Sequence, residues 1–441
     1  MFAGFAVRAG HCRLKQIMSS SRVEHSQWGG YIEYAVVTDV GMRRTTNQDA
    51  HSIVLASDEE AWARRGHLFV VADGMGAHAA GELASRMAAD GIPNHYLKMR
   101  DVPPWEALRA AVEQANAEVH ARGQANLDFF NMGTTASVLL LMPNGALISH
   151  VGDSRVYRLR GNRFEQLTFD HSLVWELQAA GHPTAGAPDS AIPKNIITRS
   201  LGPNPTVQVD LEGPFDLREG DVFLLCSDGL TGQVADEEIG TILSSLPLAT
   251  AAEVLCDLAN LRGGPDNITV ILVRVLREPP ATTVSQVATA GSRPVAVIPA
   301  WFWIAAASDV LLAVALAVLG MFLAAAILGG AAVLSLIGAL LYRLTAGQSG
   351  GQLVRRLGKA PYRSVACQAS RSLVQKFDTI VRQLQEAAAE NFWKVDMDQF
   401  NVLVQQAAAA ASDQDYDRAL HCYARAIRCM IDGLQGPSET P

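Results

Sequence analysis

Five short segments of this chain each set an aspartate at the end of an apolar run or inside a tight turn. They are Arg44-Thr45-Thr46-Asn47-Gln48-Asp49, Asp73-Gly74-Met75-Gly76, Gly152-Asp153-Ser154-Arg155, Ser227-Asp228-Gly229 and Pro265-Asp266-Asn267. Any one Asp-Gly pair alone marks a turn, because Asx side chains close turns and glycine supplies positive φ. Five carboxylates leaving apolar runs are another matter. Brought together they repel one another unless a cation sits among them, and hard divalent ions take oxygen ligands. No His/Cys spacing competes, so magnesium or manganese is expected rather than zinc.

The elements that must position these acids are short. Apolar runs with β-branched residues at 34–38, 68–72, 135–142, 146–151, 222–226 and 268–275 predict strands, and Pro143-Asn144-Gly145 and Arg160-Gly161-Asn162 predict hairpin turns. Apolar residues three and four apart predict helices over 81–98, 104–124, 171–180, 236–246 and 249–261. Strands in adjacent runs and helices in separate runs imply an α+β fold, with antiparallel sheets and helices packed outside them. A length of 441 residues calls for two or three units. Residues 31–277 read as a folded domain and 278–298, rich in Pro, Thr, Ser and Ala, as a linker. Residues 1–30 are either disordered or a mis-started N-terminus ahead of Met18.

A net charge of −8 argues against a general nucleic-acid binder. The six cysteines are scattered without a CxxC pair, which suggests neither disulfides nor zinc and fits reduced thiols in a cytoplasmic setting. Part of the 49% hydrophobic content lies in one block, 299–343, where Asp309 is the only charged residue before Arg343. A span needs about 20 apolar residues, so the block suffices for a two-span hairpin turning at Gly320 or Gly329-Gly330, or for a single long kinked helix. Trp301 and Trp303 would lie in the interfacial belt, and Arg343, Arg355, Arg356, Lys359 and Arg363 put the following chain on the cytoplasmic side. Residues 360–435 are helical. The run Ala419-Leu420-x-x-Tyr423-x-x-Ala426-Ile427 resembles one tetratricopeptide unit and equally suits a plain amphipathic helical hairpin.

The five acidic segments, in this order over residues 32–277, resemble the metal-dependent protein serine/threonine phosphatases of type 2C (the PPM family). Asp-Gly-Met-Gly and Thr168-x-Asp170-His171-Ser172 are similar to its bacterial branch. The resemblance implies a four-layer αββα sandwich of two antiparallel sheets, with two Mn2+ or Mg2+ ions in a cleft at one end. By motif, Asp73 would bridge both ions and the Gly74 carbonyl would bind one. Asp228 and Asp266 would hold the second, Asp49 would complete the site directly or through water, and Asp153 with Asp228 would take a third, weaker metal. Arg44 would grip the substrate phosphate, for which the guanidinium fork is suited. Phosphoserine and phosphothreonine proteins are the implied substrates, a cognate kinase an implied partner, and the cytoplasmic face of the cell membrane the implied location. The competing reading is an inactive membrane scaffold that binds phosphoproteins.

Two positions depart from the family. Met75 stands where the eukaryotic branch has a histidine taken as general acid, and Ala77 where another glycine is usual. His78 and His171 read as packing or capping residues, and Arg199 as structural support. Residues 181–200 sit where bacterial members carry a mobile flap, or form an ordinary surface loop. The C-terminal helices would dock a partner, self-associate or regulate that flap.

Overall fold

The computed structural model describes residues 23–76, 79–182, 192–193, 196–278, 357–391, 393 and 395–435, with scattered positions between 308 and 330. Ala77, His78, the centre of the flap segment, the linker, the first 22 residues and most of the apolar block lie outside the described residues.

Among the described residues thirteen strands form two antiparallel sheets. In chain order they are β1 (Glu24–Trp28), β2 (Ile32–Asp39), β3 (Asp49–Val54), β4 (His67–Met75), β5 (Gly133–Thr134), β6 (Ala136–Met142), β7 (Gly145–Val151), β8 (Arg155–Arg160), β9 (Arg163–Gln166), β10 (Asp210–Phe215), β11 (Val222–Cys226), β12 (Ile268–Val275) and β13 (Arg363–Ala366). One sheet runs β1-β2-β12-β11-β8-β9-β13; the other runs β10-β7-β6-β4-β3, with β5 paired to β4. The central strands read as unbroken apolar runs because both faces of each sheet are covered. In β4, Phe69 and Val71 point between the sheets while Leu68, Val70 and Ala72 point into a helical layer. In β11, Phe223 and Leu225 point inward while Val222, Leu224 and Cys226 face the opposite helical layer.

The first helical layer is α2 (Ala80–Lys98) and α3 (Pro104–Ala125), preceded by a short α1 (Glu59–Arg65). Ala84, Ala88, Ile92 and Tyr96 recur along one stripe of α2 and are fully buried. Two short helices, α4 (Leu173–Ala179) and α5 (Asp228–Thr231), lie at loop positions, and α6 (Asp236–Ser245) and α7 (Leu248–Leu261) cover the other sheet.

The C-terminal region is joined to this body. Residues 356–441 belong to the same compact unit as the first 280, and residues 281–355 form a second unit. Strand β13 pairs with β9, and α8 (Arg371–Asn391), α9 (Met397–Ser412) and α10 (Tyr416–Gln435) share one apolar cluster with α6 and α7. The tetratricopeptide comparison therefore does not hold. The face of α10 carrying Ala419, Leu420, Tyr423, Ala426 and Ile427 is covered by α8, α9 and the sheet-covering helices, where a repeat would need a neighbouring repeat.

In the second unit, the helical residues 314–318 end at Gly320, which has φ 78° while Met321 N–H donates to the Leu316 carbonyl, a helix-terminating geometry. Among the described residues no helix is long and apolar enough to cross a membrane. The expected two-span hairpin is thus not found there, and most of block 299–343 lies outside the described residues.

A buried charge cluster ties α10 to α7. Arg428 donates to Asp257 at 2.9 Å and Asp432 at 2.8 Å and lies 3.4 Å from Glu253. Asp257 is 3% exposed, and burial pushes its carboxyl up to about 7 against the pull of Arg428. Removing one partner of a buried pair costs about 3–5 kcal/mol. Arg428→Ala should lower the unfolding free energy extracted from urea denaturation by that order, with the midpoint falling accordingly, and Arg428→Met with Asp257→Leu should recover most of it. An unchanged midpoint in the single variant would show that this clamp contributes nothing.

Candidate active site

The acids converge because the ends of central strands from both sheets meet. Asp49 opens β3 and lies directly opposite Asp73 near the end of β4. From the facing sheet, β11 delivers Ser227 and Asp228 and Asp266 stands two residues before β12, while Asp153 sits in the turn that leads from β7 of one sheet to β8 of the other. Arg44 lies in the β2–β3 loop, half exposed, and donates from Nη2 to Asp266 Oδ2 at 2.8 Å. That hydrogen bond, followed by the charges of Asp266, Asp73 and Asp228, raises its pKa despite partial burial.

These groups lie close enough to act on one another's charge. Burial pushes Asp73 far above the carboxylate range, and Asp49, Asp228, Asp153 and Asp266 each push it further. Asp49 is driven to about 7, mainly by burial; hydrogen bonds from Ser227 and Thr269 oppose the shift and Asp228 and Asp266 add to it. Asp153 also reaches about 7 through burial and its neighbours Asp228 and Asp170. Asp228 is raised by burial and Asp266, against hydrogen bonding from Asp73 and the charges of Arg155 and Arg44. Asp49 Oδ1 and Asp153 Oδ1 are buried with no hydrogen-bond partner.

These residues fit hard divalent cations. Two orphaned carboxylate oxygens among desolvated like charges present what such an ion requires. Among the described residues no group of three or more acidic, histidine or cysteine side chains is gathered to hold an ion unaided. The donor set suits ions that keep water and take one or two carboxylates with a backbone carbonyl, as magnesium does.

Neutral hydrogen bonds hold the acids in place. Ser227 Oγ donates to Asp49 Oδ2 at 2.7 Å, and Thr135 Oγ1 accepts from Asp73 N–H at 2.9 Å. Asn267 spans three strand ends: its Oδ1 accepts from Gln48 N–H at 2.8 Å, and its Nδ2 donates to the carbonyls of Val40 at 2.8 Å and Thr46 at 3.0 Å. The loop bearing Arg44 is thereby fastened to the segment bearing Asp266. His171 Nδ1 accepts from Gly152 N–H at 2.9 Å, which places the proton on Nε2 and directs it to Asp210 Oδ2 at 3.0 Å. His171 thus clamps the turn carrying Asp153, and Arg199 donates to Asp210 Oδ1 at 2.7 Å in a supporting position. At Gly74 a Cβ would stand 2.1 Å from the Gly81 carbonyl oxygen and 2.6 Å from that of Gln48, so only glycine passes there.

Sequence reasoning named the acids and Arg44 but gave no role to Asn267, Ser227 or Thr135. Asn267 stood inside a quoted motif, and an Asx side chain beside a strand start was the available signal.

Two stacked antiparallel sheets with an acidic cleft at their strand ends define a metal-dependent phosphatase. Protein phosphatase 2C matches residues 42–261. Protein phosphatase PhpP of Streptococcus pneumoniae is 40% identical over 255 residues, covering 56% of this chain and 99% of its own length. The serine/threonine phosphatase stp of Listeria welshimeri is 36% identical over 244 residues, covering 54% and 93%. The solved S. agalactiae serine/threonine phosphatase aligns at a TM-score of 0.50 with 36% identity, covering 56% of this chain and 100% of that one. The chain belongs to the protein phosphatase 2C family, whose members depend on divalent metal, and is a protein serine/threonine phosphatase.

Removing one of the repelling charges should stabilise the metal-free protein. For Asp49→Asn we expect a thermal midpoint higher by roughly 2–4 °C for each kcal/mol relieved. Manganese should raise the wild-type midpoint more than that of the variant. A lower midpoint for metal-free Asp49→Asn would contradict the repulsion.

Proposed function

We propose that this chain removes phosphate from phosphoserine and phosphothreonine on proteins, using two Mn2+ or Mg2+ ions and a third, weaker one. The reading is carried by four desolvated acids, Asp49, Asp73, Asp153 and Asp228, gathered from both sheets with Asp266 at the rim and two carboxylate oxygens unpartnered. Asp73, with the Gly74 carbonyl, Asp49, Asp228 and Asp266 would hold the ion pair, and Asp153 with Asp228 the weaker ion. Bound there, such ions supply a water acidified enough to attack phosphorus at neutral pH.

The side chains do the rest. Arg44 stands at the rim and can turn its fork from Asp266 to the phosphate oxygens, where charge accumulates as the ester breaks. Ser227 and Asn267 keep Asp49 and the Arg44 loop from drifting, so the phosphate meets a preformed site. Met75, whose thioether carries no proton, cannot protonate the departing alkoxide. The alkoxide would take its proton from water at the site or from another group.

Asp73→Ala and Asp228→Ala should each lower manganese-dependent hydrolysis of a phosphothreonine peptide by on the order of 10³-fold, with the circular dichroism spectrum unchanged. Arg44→Ala should reduce kcat/KM by roughly 10²-fold or more. Full turnover in either aspartate variant would remove the site assignment, and no turnover in wild type would leave the scaffold reading.

A membrane tether on the cytoplasmic side is supported by the apolar block, the basic residues that follow it, and exposure in the second unit. Leu311, Leu312, Val314, Val318, Leu319, Phe322 and Leu323 each expose more than half of their surface, a string that water does not favour. Expressed in a bacterial host, the full chain should sediment with membranes, and a reporter fused after residue 345 should read as cytoplasmic. Recovery in the soluble fraction, or extracytoplasmic reporter activity, would count against the tether or its topology.

A further inference from the structure

The segment 357–366 lies outside the predicted catalytic domain, yet it packs against the loop that holds the Asp153 turn. It is fastened on two flanks. Leu357 and Gly213 of β10 exchange backbone hydrogen bonds at 2.6 and 3.1 Å. Glu212, only 3% exposed, accepts from Ala360 N–H at 2.9 Å and from the Tyr362 hydroxyl at 2.6 Å. A buried carboxylate of the catalytic domain thus takes both hydrogen bonds from this segment. On the other flank Tyr362 N–H donates to the Gln166 carbonyl at 2.9 Å, and β13 pairs with β9.

Between the two flanks runs the loop from Leu167 to Ser172, which governs Asp153. Gln166 Nε2 donates to Asp170 Oδ1 at 2.7 Å, and Arg155 grips both oxygens of the same carboxylate at 2.8 and 3.0 Å. His171 then holds Gly152 through two bonds, its ring accepting from Gly152 N–H and its own N–H donating to the Gly152 carbonyl at 2.8 Å. Side chains of the segment press on this loop. The Tyr362 ring meets Phe169 edge-on with centroids 5.5 Å apart. The Arg363 guanidinium lies 4.3 Å from the centroid of the Trp175 ring on α4, and Arg155 lies 5.7 Å from the same centroid. Trp175 therefore couples Arg363, from the C-terminal segment, to Arg155, the neighbour of Asp153.

We propose that Tyr362 and Arg363 are positioning residues for the phosphatase reaction. They act from beyond the catalytic domain by holding the 167–175 segment, and through it the Gly152-Asp153 turn, in register with the other acids. The inference rests on the phosphatase reading and adds a regulatory route to it, because 357–366 connects directly to the chain that follows the apolar block. Relatives matched over 99% of their own length by 56% of this chain illustrate a catalytic domain that stands without so long an extension.

The test compares full-length Arg363→Ala, Arg363→Lys and Tyr362→Phe with wild type. Hydrogen exchange of the metal-free protein follows residues 167–176, and steady-state hydrolysis of a phosphothreonine peptide is measured across a manganese titration. Arg363→Ala and Tyr362→Phe should speed exchange in 167–176 several-fold with the rest of the domain unchanged. They should also raise the half-saturating manganese concentration by about 10-fold, as loss of a ligand's supporting partner does, while kcat at saturation stays within about twofold. Arg363→Lys, which keeps a cation over the indole, should return most of both effects. Wild-type exchange and manganese dependence in the variants would overturn the proposal, and so would faster exchange spread over the whole domain without rescue by lysine. Failure of wild type to hydrolyse the peptide would instead strike the phosphatase reading, while the exchange data would still decide the positioning role.

Discussion

The organising constraint in this molecule is the collection of like charges in a place from which water is largely excluded. Desolvation and mutual repulsion both raise Asp73, and the same two causes act on Asp49, Asp153 and Asp228. Left alone, such a cluster would take up protons or push its strands apart. The sandwich resists the second outcome, because Asp49 and Asp73 are locked by a β-ladder and Asp228 and Asp266 flank strands buried on both faces. The repulsion is therefore held by rigid sheet ends, an arrangement that suits divalent cations.

That constraint also explains which residues surround the acids. A lysine or arginine packed against each carboxylate would relieve the repulsion and remove the reason for a cation to bind. The supports are instead hydroxyls and an amide: Ser227, Thr135, Thr269 and Asn267. Arg155 lies near the cluster but spends its fork on Asp170. Arg44 engages the acids directly, through one nitrogen at the exposed rim, which leaves the rest of its fork free of the cluster.

How much of this was legible beforehand follows from what a linear pattern can encode. Central strands such as β4, β6, β11 and β12 stood out because burial on both faces demands an unbroken apolar run. Strand β3 did not, since Asp49-Ala50-His51-Ser52 is only half buried throughout, and β10 hid behind Gly213-Pro214. The order of the acidic motifs was enough to single out the acids that the fold gathers at the strand ends. Their supports were invisible because a serine or asparagine reaching across 178 or 221 positions, as Ser227 does to Asp49 and Asn267 does to Thr46, leaves no local trace. The C-terminal packing was hidden for a related reason: periodicity shows that a helix has an apolar face and is silent on what covers it.

One helix nonetheless carried a hint of that cover. In α7 the buried residues run through Ala251, Ala252, Val254, Leu255, Asp257, Leu258 and Ala259, which leaves no polar stripe for solvent. A helix apolar on nearly every side must be covered on both. One side of α7 lies on the sheet through β2 and β12, and the side bearing Glu253 and Asp257 meets Arg428 of α10. Asp257 is the decisive residue, because an acid in the middle of so apolar a helix is tolerable only where a cation comes to meet it. The catalytic domain thus contains, in a single misplaced charge, the imprint of helices that begin more than a hundred residues later.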